Sequence, residues 1–457
     1  MIQTTQHIPW IFSITTLLVL VTMTSNIQGQ EMGDVLIKNG TVITIEDGIK
    51  ENTDILIRDG KIKQIGEGIS ISDIKTIDAE GKYVMPGIID AHSHLGLDAV
   101  NEATNPVTAE VWVGDALNPY DVGLYRALAG GVTTAHAMHG SANAIGGQCE
   151  TIKHRWGEMN PESWRMKDAP RTIKFALGEN PMRVHGERNN VAPRTRMGME
   201  QEFRRSFAAA KEYKKAKLTS TSSKNSQTPA YSLRLETLAD ILDGNVIIHC
   251  HSYRADEILM LMKVLEDYGV KDICFQHVNE GFKVAPELAE FGASASVFSD
   301  WWAYKFEVYY STAYNATILT RNGVITSINS DSRELIRHLY HEAAKTQRYG
   351  DLTDNEALRL ITINPAIQLG IDNRVGSIKV GKDGDIAIFD NHPLSIYATP
   401  VYTIVDGVVR FDIDEDPNDV RVDIDPKEEV PAFYESHIHD HELEGCMQGT
   451  EHSTHSH

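Results

Sequence analysis

The chain has 457 residues, 41% of them apolar, and a formal net charge of -21 from 64 acidic against 43 basic residues. That length suits one large barrel-type domain with an added module, or two domains, and the apolar fraction is ordinary for a globular protein. The acidic excess, densest in DIDEDPNDVRVDIDPKEEV at 412–430, argues against nucleic acid or anionic lipid as a partner and for a soluble, self-repelling surface.

In chain order, residues 1–29 come first, with an apolar run from about Ile8 to Met23 followed by small and polar residues. This is the anatomy of a cleaved export signal, although no Lys or Arg precedes the run, and the mature protein is expected to be secreted or periplasmic. No second run of spanning length follows, so no stable membrane span is expected after cleavage. Over 33–88, the stretches DVLIKNGTVITIEDG, DILIRDGKIKQIGEG and KTIDAEGKYVMPG alternate apolar and polar residues, with Asn-Gly, Asp-Gly and Glu-Gly between them. They predict strands joined by tight turns. The same grammar returns over 366–412, in RVGSIKVGKDGDIAIFD and TPVYTIVDGVVRFD, which suggests one small β module built from both ends of the chain.

Between them, over 89–365, short apolar runs end in polar or metal-capable residues: GVTTAHAMHG, TIKFALGEN, NVIIHCHSY, DICFQHVNE, ASASVFSD and GVITSINSD. They alternate with helix-like segments such as RADEILMLMKVLEDYG and SRELIRHLYHEAAKTQRYG. Repeated strand-helix units of this kind build a parallel sheet, and in a (β/α)8 barrel the chemistry sits at the C-terminal strand ends. The stretch at about 208–232 begins as a basic helix and turns Ser/Thr-rich, and is expected to be a long exposed excursion. Residues 413–457, an acidic and His-rich tail, are expected to carry little fixed structure. Cys149, Cys250 and Cys274 read as small buried hydrophobes, and with Cys446 they show no close pairing.

The strand ends offer His92 and His94, Glu179, His251, His277 and Asp331. Imidazole and carboxylate without thiolate suit zinc or a similar divalent ion. Residues two apart on a strand face the same side, so His92 and His94 both point inward while Ser93 points away. The tail carries a second His-x-His pattern, at His437, His439 and His441, but without such strand context.

The run PGIIDAHSHLG, the single histidines at later strand ends, INSDS, NPAIQLGI and RVGSIKVGKDGDIAIFD together resemble the amidohydrolase superfamily, closest to its imidazolonepropionase-like and dipeptidase-like branch, over roughly 33–412. The resemblance implies a distorted (β/α)8 barrel with a small β-sandwich formed from both termini. It implies metal ligands at His92, His94, His251, His277 and Asp331, for one or two ions, with Asp331 carrying protons and His277 either a ligand or a polariser of the substrate. A carboxylated Lys or a Glu joins the ions in two-metal members, and IKFALGEN offers Lys174 and Glu179. Glu179 is favoured, because Lys174 would lie about 16 Å deeper if the strand ran regularly to Glu179; Glu150 is a third candidate. His249 is expected to be a buried neighbour, and His136 and His139 are expected to lie outside the ligand set. Arg254 either binds a substrate carboxylate or pairs on its own helix.

The expected reaction is hydrolysis of a C–N bond, in an amide, lactam or peptide-like substrate, by metal-activated water with Asp331 as general base and acid. Dipeptidase, acyl-amino-acid hydrolase and heterocycle deaminase chemistries share such a site, and a metal-scavenging surface protein is the rival from another class. The expected partner is a small molecule or short peptide, and a homo-oligomer is compatible.

Overall fold

The computed structural model describes residues 31–222, 228–302 and 304–415. The readings of residues 1–29, of the tail histidines and of Cys446 lie outside the described residues.

The first five strands are β1 (Val35–Ile43), β2 (Ile49–Arg58), β3 (Lys61–Gly66), β4 (Lys75–Asp78) and β5 (Tyr83–Pro86). β2 and β3 meet at Asp59-Gly60, where both residues have positive φ (49° and 67°), as a two-residue hairpin turn of the primed kind requires. Asn39-Gly40 behaves differently from expectation. It lies inside β1 as an irregularity in the pairing with β2, not as a turn between strands. The Asn39 backbone N–H is taken up by the Asp54 carboxylate at 2.9 Å and its side chain donates to Asp78 at 3.0 Å. A Cβ on Gly40 would come within 2.6 Å of the Val84 side chain.

The barrel strands follow: β6 (Ile88–Ser93), β7 (Val132–Ala137), β8 (Ile145–Lys153), β9 (Arg171–Ala176), β10 (Val246–Ser252), β11 (Ile273–His277), β12 (Ser294–Val297) and β13 (Thr326–Ile328). They pair in sequence order as one eight-stranded sheet. Six correspond to the apolar runs read from the sequence, and a seventh, β6, to the run PGIIDAHSHLG. The eighth, β8, is antiparallel to both β7 and β9, which is where the barrel departs from eight parallel strands. The sheet closes between its first and last strands: the Asp331 N–H donates to the His92 carbonyl at 3.1 Å, and the Ser330 N–H to the buried Asp90 carboxylate at 3.1 Å.

Three last strands, β14 (Ile386–Phe389), β15 (Pro400–Val405) and β16 (Val408–Asp412), return to the β module. Its sheet runs β16-β15-β14-β5-β1-β2-β3, with β4 also on β1, and an isolated bridge from Lys61 to Asp383 brings β3 back towards β14. A separate apolar core including Val35, Ile37, Ile55, Ile57, Val84, Ile386 and Ile404 fills it. Both ends of the chain therefore build one module, as the repeated strand grammar implied.

Outside the barrel, Ala255–Tyr268 and Leu339–Gly350 form the two helices read from the sequence. The stretch around 208–232 begins in a helix and is mostly exposed among its described residues, as expected, with Ala210 and Tyr213 its buried members. A helix spans Arg196–Ser222, and Phe203, Phe207, Ala210 and Tyr213 on it are buried. Phe203 stacks on Phe175 of β9 with ring centroids 5.6 Å apart. Among the described residues no helix is long and apolar enough to cross a membrane. Cys149, Cys250 and Cys274 are buried, and among the described residues they form no disulfide.

Candidate metal centre

His92 lies on β6 and His94 just beyond its end, and both are buried. Each ring is oriented through Nδ1. His94 donates to the Met138 carbonyl at 2.8 Å, and His92 meets Gln276 Oε1 at 3.2 Å. Their Nε2 atoms converge on Asp331, which follows β13, at 3.2 Å from His94 and 3.4 Å from His92. Ligand atoms of His92, His94 and Asp331 all lie within 4.8 Å of one another. That spacing and donor set can hold a divalent cation.

His277 ends β11 and points into the same space, its Nε2 3.6 Å from Asp331. Its ring lies 4.7 Å from His92, 4.8 Å from His251 and 4.7 Å from Phe298. Among the described residues neither of its buried ring nitrogens has a hydrogen-bond partner, a costly condition that a bound cation would relieve at a nitrogen. The backbone is strained at these positions. His277, Val278 and Asp331 have φ of 68°, 47° and 42°, a region unfavourable for non-glycine residues and especially for a β-branched one. Such strain costs on the order of 1–3 kcal/mol per residue and clusters where function over-determines the geometry.

Burial keeps His92, His251 and His277 neutral. Burial pushes His277 down to about 3 and holds His92 and His251 well below the usual histidine range, with Lys174 adding to the effect at His92. Neutral imidazole is the form that ligates a metal. Burial alone would raise Asp331, but His94, His277 and Lys174 outweigh it and hold the carboxyl below its ordinary value.

The relative positions of Lys174 and Glu179 reverse the expectation. β9 ends at Ala176, so Lys174 is two residues from the strand end, and its Nζ lies 3.0 Å from His92 Nε2. Gly178, at φ 79°, breaks the strand, and Glu179 opens a short helix, Glu179–Met182. Its carboxylate pairs with Arg183 at 3.2 Å and Lys305 at 3.5 Å, outside the His92–His94–Asp331 cluster. Lys174 is not deep in the barrel relative to Glu179, because β9 ends at Ala176 and does not run on regularly to Glu179. Glu150 on β8 also lies outside that cluster, raised to about 7 by burial with Arg165 working against it. Arg254 forms two hydrogen bonds of 2.9 Å to Asp256 on its own helix, so its fork is already engaged.

His249 is a fully buried neighbour whose Nδ1 accepts from Gln276 Nε2 at 3.0 Å. His136 hydrogen-bonds Thr172 Oγ1 at 2.8 Å, and His139 accepts the Glu102 N–H at 2.9 Å. Sequence reading missed Gln276 and Asp90. Each stands beside the motif residues, in CFQH and IIDAH, but an isolated Gln or Asp in an apolar run carries no pattern of its own.

The sequence matches the Amidohydrolase family over residues 83–411. The chain belongs to that family. It is 32% identical over 412 residues to amidohydrolase tasK of Hapsidospora irregularis, covering 83% of this chain but 40% of that protein. It thus spans less than half the length of that relative. A solved amidohydrolase from Thermotoga maritima MSB8 is 34% identical, with a TM-score of 0.77 over 83% of this chain and 100% of that one. The 5'-deoxyadenosine deaminase of Methanobrevibacter smithii is 22% identical over 406 residues, 78% of this chain and 84% of that protein.

Proposed function

We propose that this member of the amidohydrolase family is a metal-dependent hydrolase that cleaves a C–N bond in an amide, lactam or peptide-like substrate. The observation that carries the reading is the convergence of His92, His94 and Asp331 within 4.8 Å at the C-terminal ends of barrel strands, where barrels of this kind do their chemistry.

In this reading His92, His94 and Asp331 hold a first divalent ion, zinc in the first instance, and His251 and His277 hold a second. Lys174, in carboxylated form, would help to hold the ions, supported by its contact with His92; Glu179 would take no part. The ions supply water of lowered pKa and polarise the scissile carbonyl. Asp331, kept ionised at neutral pH, accepts a proton from the attacking water on its carboxylate and returns it to the departing nitrogen. Phe298, Tyr253 and Trp301 line the space behind His277 and limit its access to water. Action outside the cytoplasm is part of the proposal and rests on the apolar run at 8–23 alone.

Deamination of an amino-heterocycle is the second reading, supported by the likeness to a 5'-deoxyadenosine deaminase along most of both chains. Metal analysis of the purified protein and a screen of N-acyl amino acids, dipeptides, lactams and amino-heterocycles test both, with released ammonia marking the second. Asp331→Asn is expected to lower turnover by about 10²–10⁴-fold, the usual range for loss of a general acid–base group. Full activity of that variant, or no turnover of any class by metal-replete protein, would overturn the proposal.

A further inference from the structure

Below the candidate ligands the barrel interior is polar. Gln276 of β11 reaches between two histidines of other strands: its Oε1 lies 3.2 Å from His92 Nδ1 and its Nε2 3.0 Å from His249 Nδ1. Gln276, His249 and His92 are at most 1% exposed, so water does not stand in for a lost partner.

An amide has one accepting end and one donating end, and a neutral imidazole carries one proton on two nitrogens. Those facts leave two self-consistent arrangements. In one, the amide oxygen accepts from His92 Nδ1–H, and the His92 Nε2 lone pair is free to bind a cation. In the other, the NH2 group faces His92 Nδ1, the proton moves to Nε2, and that nitrogen can no longer ligate. The contact at the far side of the ring decides between them. Before carboxylation the Lys174 amine, 3.0 Å from His92 Nε2, donates to a lone pair there, so Nδ1 carries the hydrogen and Gln276 presents its oxygen; carboxylation of Lys174 would then free that lone pair for a cation. The Gln276 amide nitrogen then donates to His249, whose Nδ1 must be the accepting nitrogen, and more weakly to Cys274 Sγ at 3.4 Å.

We propose that Gln276, held in one orientation by His249, is a positioning residue that sets the tautomer of His92 and so makes Nε2 available to a metal. The inference rests on the reading of His92 as a ligand. His249 thereby has a role although it touches neither substrate nor metal. Nitrogen ligands are commonly fixed through their second nitrogen, and loss of such a partner lowers metal affinity by about 10–100-fold.

The test is zinc affinity of the full chain by chelator competition, with cobalt(II) absorption as an independent report of ligand geometry. Gln276→Met is expected to weaken zinc binding by about 10–100-fold and to shift the cobalt spectrum. Gln276→Glu carries a proton in so buried a site, so it can accept from His92 and donate to His249, and affinity should stay within about threefold of the original. His249→Phe should weaken binding by itself and add nothing in the Gln276→Met background, because the two act through one contact. Unchanged affinity in Gln276→Met, or losses that simply add, would overturn the inference. Should Gln276→Met fail to fold, His249→Phe decides alone, and wild-type affinity in that variant overturns it. A wild-type chain that binds no zinc would instead remove the functional reading, and this inference with it.

Discussion

Lys153 of β8 and Lys174 of β9 are both fully buried on neighbouring barrel strands, yet their surroundings differ in kind. The Lys153 ammonium is enclosed by three carboxylates of the β module, with Asp406 at 2.5 Å, Asp383 at 2.6 Å and Asp385 at 3.0 Å. Arg155 adds a second cation on Asp406 at 2.7 Å. Lys174 instead faces the nitrogen of His92. Because β8 runs antiparallel to its neighbours, its C-terminal end reaches the face of the barrel opposite the ligands, where the β module docks. Lys153 marks the end that holds the fold together, and Lys174 the end that can do chemistry, the division expected of barrels of this class.

That contrast breaks most visibly at Lys153. Removing it leaves buried carboxylates uncompensated, and Lys153→Met is expected to lose about 3–5 kcal/mol of stability, read from denaturant midpoints, while zinc per folded chain stays unchanged. Lys174→Met should do the reverse. We expect at least about a hundredfold loss in zinc affinity or turnover, the upper end of what losing even an outer partner costs, with a midpoint near wild type. Metal loss in the first variant or unfolding in the second would erase the distinction.

A solvent-facing ion pair sets the scale beneath both. Glu356 is held at about 2, first by Arg321 and then by the Thr353 backbone at the start of its helix. Its folded value is depressed, so its stabilisation is present above about 4.5 and fades as pH falls towards 2. Glu356→Gln should cost at most about 1 kcal/mol at neutral pH, and thermal midpoints of variant and wild type should converge as pH approaches 2.5. The smallest effect is expected at Glu179. Glu179→Gln should leave zinc stoichiometry unchanged and affinity within about threefold, well short of what a lost ligand partner costs. If Glu179 joins the ions, the outcomes at Lys174 and Glu179 exchange.

Much of this architecture was legible along the chain. Seven apolar runs ending in His, Asp or other polar residues became seven parallel strands, since burial on both faces demands continuous apolar residues and ligands must stand where a strand meets solvent. His92 and His94 stood out from the tail histidines of the same spacing through their strand context and the ordered strand-end residues that follow, the spacing itself only turning both to one side. Export and the tail histidines rest on sequence alone. The direction of β8 was not legible: IGGQCETIK has no local mark of being antiparallel, because direction is a property of the neighbours it pairs with. Nor was the bulge at Asn39-Gly40, a dipeptide equally suited to a turn, where Asp54 accepts from the Asn39 backbone N–H and Asp78 from its side chain, both distant in sequence.

The sequence by itself determined which residues could ligate, and in what order the strands would present them. Only the tertiary structure decided which of them meet. Gly178 ends β9 early and turns Glu179 towards Arg183 and Lys305, while the barrel's closure carries Lys174 to a histidine 82 positions away. Ligand chemistry belongs to the side chain, but proximity across strands belongs to register and closure, which long-range pairing alone sets.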